Sequence, residues 1–260
     1  MYHSITFGDK NTWDNWCLIP ETEPIVAPPA PKTNYIDIPG ASGSLDMSEA
    51  ITGYPLYQNR TGSFSFLVMN DKAVTMPECN PIKLRNLVSN IMEYLHGKKM
   101  QMILEDDRSY FYRGRFTVDS IDGGEGFSKI SIGYNLEPYK WSVYGVTDNW
   151  IWDTFNFQTG IITSELSNMD VTTVEQSITL QSSTIGKAPV CPEFRATSTD
   201  GLGVHIRFVN PTLGIDVETM IPNGTMTNPD LVMYGDSVTI YYRVASGTGK
   251  LTIDFRQGRL

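Results

Sequence analysis

The chain is poor in the residues from which most chemistry starts. Its 260 positions hold three cysteines, Cys17, Cys79 and Cys191, and three histidines, His3, His96 and His205. The cysteines are odd in number and far apart, so they form neither a disulfide framework nor a CxxC metal knuckle, and buried reduced thiols are expected. No histidine stands at ligand spacing from another or from a cysteine, which leaves a zinc site without donors. A serine nucleophile is missing too: there is no Gly-x-Ser-x-Gly elbow, and Gly40-Ala41-Ser42-Gly43 has neither a strand–helix context nor a histidine partner. Gly123-Gly124-Glu125-Gly126 lacks the lysine and helix that follow a phosphate loop, and reads as a hairpin turn. Glu105-Asp106-Asp107 is acidic, but three consecutive acids at a strand end point in different directions, so a solvated turn is expected rather than a carboxylate pair. The sequence therefore predicts no catalytic residue, no metal and no cofactor.

Positive charge is also scarce. Twenty Lys and Arg face 29 Asp and Glu, for a net charge of −9, whereas a general nucleic-acid binder needs clustered cations to hold phosphates. An acidic wall would instead let DNA slide past it. No apolar run approaches the roughly 20 residues of a membrane helix, so no membrane contact is expected. Residues 1–10 show no basic start followed by an apolar stretch, from which synthesis and folding in a cytoplasm are expected. Asn59-Arg60-Thr61 and Asn223-Gly224-Thr225 match the glycosylation pattern, which means nothing without secretion.

What the chain does have is material for strands and turns: 11% aromatics, 22 Gly and 15 Pro, with 40% hydrophobic and 19% charged residues. That balance predicts a folded, mainly β protein with many turns. Residues 63–69 alternate and then run apolar, as a strand buried first on one face and then on both. Asn80 and Pro81 open the one strong helix, with Leu84, Leu87, Val88, Ile91 and Leu95 at helical spacing and Gly97 at its end. His96 falls in the last turn, where partial positive charge suits the helix dipole, and His3 is placed in the first strand. Three strands follow, near 100–104, 110–118 and 130–136, joined by hairpin-like turns. Glu137-Pro138-Tyr139 breaks the alternation and sets a domain boundary, giving domains 1–140 and 141–260. The second half offers candidate strands at 174–180, 190–197, 203–209, 214–220, 237–244 and 250–256, the pattern of a sandwich or jelly roll.

The first third carries the most individual pattern. Ile5-Thr6-Phe7-Gly8 is followed by Thr12-Trp13-x-x-Trp16-x-Leu18-Ile19-Pro20 and by Pro28-Pro29-x-Pro31-Lys32. Then come Ile38-Pro39-Gly40-x-x-Gly43-x-Leu45-Asp46, Thr52-Gly53 and Tyr57-x-Asn59-Arg60-x-Gly62-x-Phe64-x-Phe66. Proline and glycine fix turns here while aromatics supply anchors; residues 24–32 read as an extended proline-rich arm. Trp13 and Trp16 lie in a stretch read as too short and proline-rich for a helix. They either pack into the first domain's core or anchor a neighbouring subunit. Trp150 and Trp152 alternate in Asn149-Trp150-Ile151-Trp152-Asp153, so one is expected to face inward and the other a partner or the first domain.

In order, spacing and length these blocks, together with the closing Gly249-Lys250-Leu251-Thr252-Ile253-Asp254-Phe255-Arg256-x-Gly258-Arg259-Leu260, resemble the distal tail proteins of long-tailed bacteriophages of Gram-positive hosts. The resemblance implies an N-terminal β-sandwich or split-barrel-like domain with one helix, and a C-terminal galectin-like β-sandwich. It implies a structural role in the virion tail tip, assembled in the bacterial host cytoplasm. There a homohexameric ring would join the tail tube protein to the tail-tip or tail-associated lysin protein, with receptor-binding or baseplate proteins at its periphery and DNA passing through unbound. Segments 12–20 and 24–39 are the expected ring contacts, with Trp13, Trp16, Ile19, Pro20, Pro28, Pro29 and Pro31 as candidate interface residues. The alternative is a carbohydrate-binding module or adhesin for host wall glycans. Against it, His205-Ile206-Arg207-Phe208-Val209-Asn210 holds the galectin residue types in the wrong order, and every Trp lies upstream of it. An enzyme such as a wall hydrolase finds no residues to work with.

Overall fold

The computed structural model describes residues 3–70, 72, 76–78, 80–123, 127–147 and 166–260. The chain divides into two compact units, Met1–Lys140 and Trp141–Leu260.

In the first unit the strands are β1 (Ile5–Phe7), β2 (Lys10–Asn11), β3 (Leu18–Pro20), β4 (Tyr35–Asp37), β5 (Ser44–Asp46), β6 (Arg60–Val68), β7 (Lys99–Leu104), β8 (Tyr110–Gly123) and β9 (Ser128–Leu136). The helices are α1 (Thr12–Trp16) and α2 (Pro81–Leu95). The expected sandwich or split barrel takes the form of one hydrogen-bonded path, β2-β1-β7-β8-β9-β6-β3, with β4 and β5 paired only to each other. The inward-facing alternate residues follow the sequence periodicity: Phe64, Phe66 and Val68 of β6 are buried with Ile130, Ile132 and Tyr134 of β9. Helix α2 adds Leu84, Val88, Ile91 and Leu95 to the same core. Its N-terminus is capped as expected, Asn80 Oδ1 accepting from the N–H groups of Ile82 and Lys83. Gly97, at φ +73°, turns the chain out of the helix.

Four details differ from the sequence reading. Segment 12–16 is a helix, because Asn11 caps it: its Oδ1 accepts from the N–H groups of Trp13 (2.9 Å) and Asp14 (3.1 Å), and Cys17 closes it in the left-handed region. His96 caps the helix just past its last residue, Leu95, and its Nδ1 accepts the Val118 N–H at 3.0 Å. His3 lies just before β1, at φ +47°, and its Nδ1 meets Asp106 Oδ2 at 2.7 Å. Strand β8 also runs past the expected end at Val118. A register shift between Val118 and Ser120 lets it continue to Gly123 opposite Ser128.

The short β10 (Lys140–Ser142) starts at the last residue of the first unit and pairs with β19 (Gly258–Arg259) of the second. The body of the second unit is β11 (Met169–Val171), β12 (Gln176–Gln181), α3 (Ser182–Ile185), β13 (Glu193–Ser198), β14 (Val204–Asn210), β15 (Ile215–Ile221), β16 (Gly224–Thr227), β17 (Ser237–Arg243) and β18 (Gly249–Asp254). Two antiparallel four-stranded sheets result, β11-β18-β13-β16 and β12-β17-β14-β15. Phe194, Ala196, Leu251 and Ile253 of one sheet share a buried cluster with Ile206, Phe208, Val238 and Ile240 of the other. This is a β-sandwich, each sheet lending one alternating face to the core. Six of its strands lie within a few residues of the positions the sequence alternation predicts.

Candidate functional site

The acids that the sequence groups together are held apart by separate partners. Glu105 accepts the Ser4 hydroxyl at 2.7 Å and the Ser4 N–H at 3.1 Å and pairs with Arg108 at 2.7 Å. Asp106 takes His3, and Asp107 takes Lys140 at 2.6 Å. Donation first from the Ser4 hydroxyl and then from its N–H holds the Glu105 carboxyl below the ordinary carboxylate range. The three carboxylates thus staple the chain start and residue 140 to one turn. Among the described residues no group of three or more His, Cys, Asp or Glu could hold a metal ion.

The feature that stands out from the first unit is an arm between β3 and β6. Its stem is strand-like: Pro31 bridges Tyr57, the Lys32 N–H donates to Leu56 O and the Gln58 N–H to Ala30 O, both at 2.8 Å. Beyond the stem, β4 and β5 form a hairpin with Tyr35 opposite Asp46, Ile36 opposite Leu45 and Asp37 opposite Ser44. The Ile38-Pro39-Gly40-x-x-Gly43 motif is its turn, with both glycines at positive φ (+84° and +82°), where a Cβ would be strained. Residues 31–47 are exposed throughout. Tyr35, Ile36, Ile38, Leu45 and Met47 lie on the surface, and Ile51 is 98% exposed. A two-stranded hairpin with no third strand is marginal in water, and an apolar one needs something to lie against.

The root of the arm is built as firmly as its tip is bare. Arg60, 5% exposed, donates from Nε to Pro138 O (2.8 Å) and from Nη1 to Ala27 O (3.1 Å), with its guanidinium over the Tyr112 ring. Its Nη2 has no partner among the described residues, and burial lowers its pKa from the ordinary value. Tyr134 adds a second tie, its hydroxyl accepting the Ala27 N–H at 3.1 Å. It does so because residue 62 is glycine: a Cβ there would lie 2.5 Å from that hydroxyl.

The sequence-derived interface residues separate on this frame. Trp16 is buried in its own core, 6.4 Å from the Phe7 ring and 5.7 Å from Tyr94, so the core reading holds for it. Trp13, Ile19 and Pro20 are half-buried; Pro28 and Pro31 are exposed and Pro29 half-buried on the arm's stem. Trp150, Trp152, Cys79 and Gly124–Gly126 lie outside the described residues. The apolar positions 45, 47 and 51 were missed, although a stretch with Gly turns and apolar residues but no cation between Lys32 and Arg60 marks them.

On the second unit, the outer face of β14 carries His205 and Arg207, while Asn210 faces inward. Asn210 is fully buried and spends its amide on Val232 O and Tyr234 O. Arg207 holds Asp216 through Nε (2.8 Å) and Nη2 (2.6 Å) and covers the Tyr241 ring, the aromatic on this face where a sugar would stack. Its hydrogen bonds to Asp216 raise the Arg207 pKa and lower that of Asp216.

The sequence matches no family model and no curated protein. Among solved structures, the crystal structure of the Dit protein of phage SPP1 is similar over 100% of this chain and 100% of that one, with a TM-score of 0.57 and 12% identity. The chain has the Dit fold. The SPP1 protein is described as a paradigm of the hub adsorption apparatus in phages infecting Gram-positive bacteria. In this chain the alternation of β6, β8 and β9 and the apolar stripe of α2 build the first unit's core.

Proposed function

We propose that this chain is the structural hub subunit of a long-tailed phage tail tip. Six copies form a ring through the first unit, joining the tail tube protein to the tail-tip or tail-associated lysin protein. The galectin-like second unit offers its surface to receptor-binding or baseplate proteins. DNA passes through without specific binding, consistent with the net charge of −9. The protein resides in the virion tail tip after assembly in the host cytoplasm, and it catalyses nothing. No helix among the described residues is long and apolar enough to cross a membrane.

One observation carries this reading: the whole chain, both units, matches the whole of a hub protein's chain. The exposed apolar arm supports it, since a closed heterologous ring needs a surface that only another copy covers. The glycan-binding alternative loses support from the covered Tyr241 ring and the buried Asn210. Light scattering on the purified protein tests the hub reading, followed by negative-stain imaging of the peak. The expected result is a mass about six times the 29.1 kDa of one chain and a six-fold ring with an open centre. A strict monomer at high concentration counts against it.

A further inference from the structure

The arm has a matching counterpart on the same unit. Between α2 and the far ends of β8 and β9 lies an open groove of about 630 Å³. Pro81, Leu84, Arg85 and Val88 line it from the helix, and Ile121 and Ser128 from the sheet. Exposed Ile82 stands one turn before Arg85 on the helix, and exposed Phe127 precedes Ser128 in the chain. We propose that the β4–β5 arm of one copy seats in this groove of the next copy, and that this contact closes the ring; the inference rests on the hub reading above.

Charge selects the occupant. Residues 33–59 contain Asp37, Asp46 and Glu49 and no Lys or Arg, so the arm is apolar and acidic. The charged residue that lines the groove is Arg85; Lys83, two residues before it, is not part of the lining. Asp46 is engaged by Ser48, and Lys83 by Glu78 and Asn70. The carboxylates of Asp37 and Glu49 and the guanidinium of Arg85 have no partner among the described residues. An apolar acidic projection and an apolar basic recess on one chain are the two different patches that a head-to-tail interface repeats around a ring.

Exposure of the arm makes the contact intermolecular. In the β6–β9 ladder Arg60 is opposite Leu136 and Leu67 is opposite Lys129, so the arm's root and Ser128 lie at opposite ends of the strands. That separation is about 27 Å, eight steps at 3.3–3.4 Å each. Residues 31–47 are exposed, so a chain does not fill its own groove.

The test replaces Tyr35 by the photo-crosslinking residue p-benzoyl-phenylalanine in the full chain and mixes light with isotopically heavy chains before assembly. After size is confirmed by light scattering, mass spectrometry locates the crosslinks. Light-to-heavy links from position 35 to peptides spanning 81–89 or 121–128 are expected. Ile36→Asp with Leu45→Asp abolishes rings at concentrations where the unsubstituted chain assembles. Arg85→Glu weakens assembly roughly tenfold, as expected for a rim charge, and Asp37→Arg with Glu49→Arg restores it. Rings whose position 35 links elsewhere, or rings indifferent to Arg85→Glu and its compensating pair, overturn this contact and leave the hub reading standing. An unsubstituted chain that stays monomeric overturns both.

Discussion

Arg60 shows how a single residue's meaning depends on the fold. In the sequence it is one letter in Asn-Arg-x-Gly-x-Phe-x-Phe; in the structure it is a buried cation whose partners are two main-chain carbonyls rather than a carboxylate. No periodicity reports such a pairing, because its partners come from 33 and 78 residues away. Glu105 teaches the same lesson with opposite charge. Its folded-state pKa is depressed from the ordinary 4.5 by the Ser4 donors, so its contribution is fully present above that value. The contribution is lost as pH falls through the lower, folded-state value. Urea midpoints measured between pH 6 and pH 3 are therefore expected to fall with acidification in the native chain. Glu105→Gln starts lower and loses part of that slope; an unchanged slope would remove Glu105 from the acid response.

At the scale of elements, α2 and most strands were legible because burial imposes a period on them: 3.6 for Leu84, Val88, Ile91 and Leu95, and two for Phe64, Phe66 and Val68. Helix α1 was not legible, since five residues hold too few periods to register. Its existence depends on a cap rather than on propensity. Asn11 fastens it from both sides, accepting from two helical N–H groups while its Nδ2 donates to Ser4 Oγ and Thr6 Oγ1, each at 3.0 Å. Asn11→Ala is expected to cost about 1–2 kcal/mol, read as a lower denaturant midpoint at constant m-value. A loss below about 0.3 kcal/mol would mean that burial of Trp16 alone holds the helix. The arm lay between these cases. Its turn was readable from Pro39, Gly40 and Gly43, but its exposure was not, because an apolar strand reads alike whether it faces a core or water.

For the whole molecule, the two apolar clusters draw their buried residues from separate stretches of chain. One is centred on Phe7, Phe66 and Phe116, the other on Phe194 and Phe208. Truncating Phe208, which has no exposed surface, is expected to cost about 3–5 kcal/mol. Its effect should stay within the second unit. Amide exchange followed by mass spectrometry checks this: Phe208→Ala accelerates exchange in β14 and β17 and leaves β6 and β9 unchanged. Matched acceleration in all four strands would mean that the chain opens as one cooperative body. The sequence reading places a domain boundary at Glu137-Pro138-Tyr139, where alternation stops.

The arm also gives each chain a clock. Tyr35 and Leu45 stand on an exposed hairpin that proteases with a taste for aromatic and aliphatic side chains can reach, and under the proposed contact a neighbouring copy would put them beyond reach. On that proposal, copies that fail to find a place in a ring would be the ones open to removal, and the surface that builds the assembly would also limit the lifetime of the surplus.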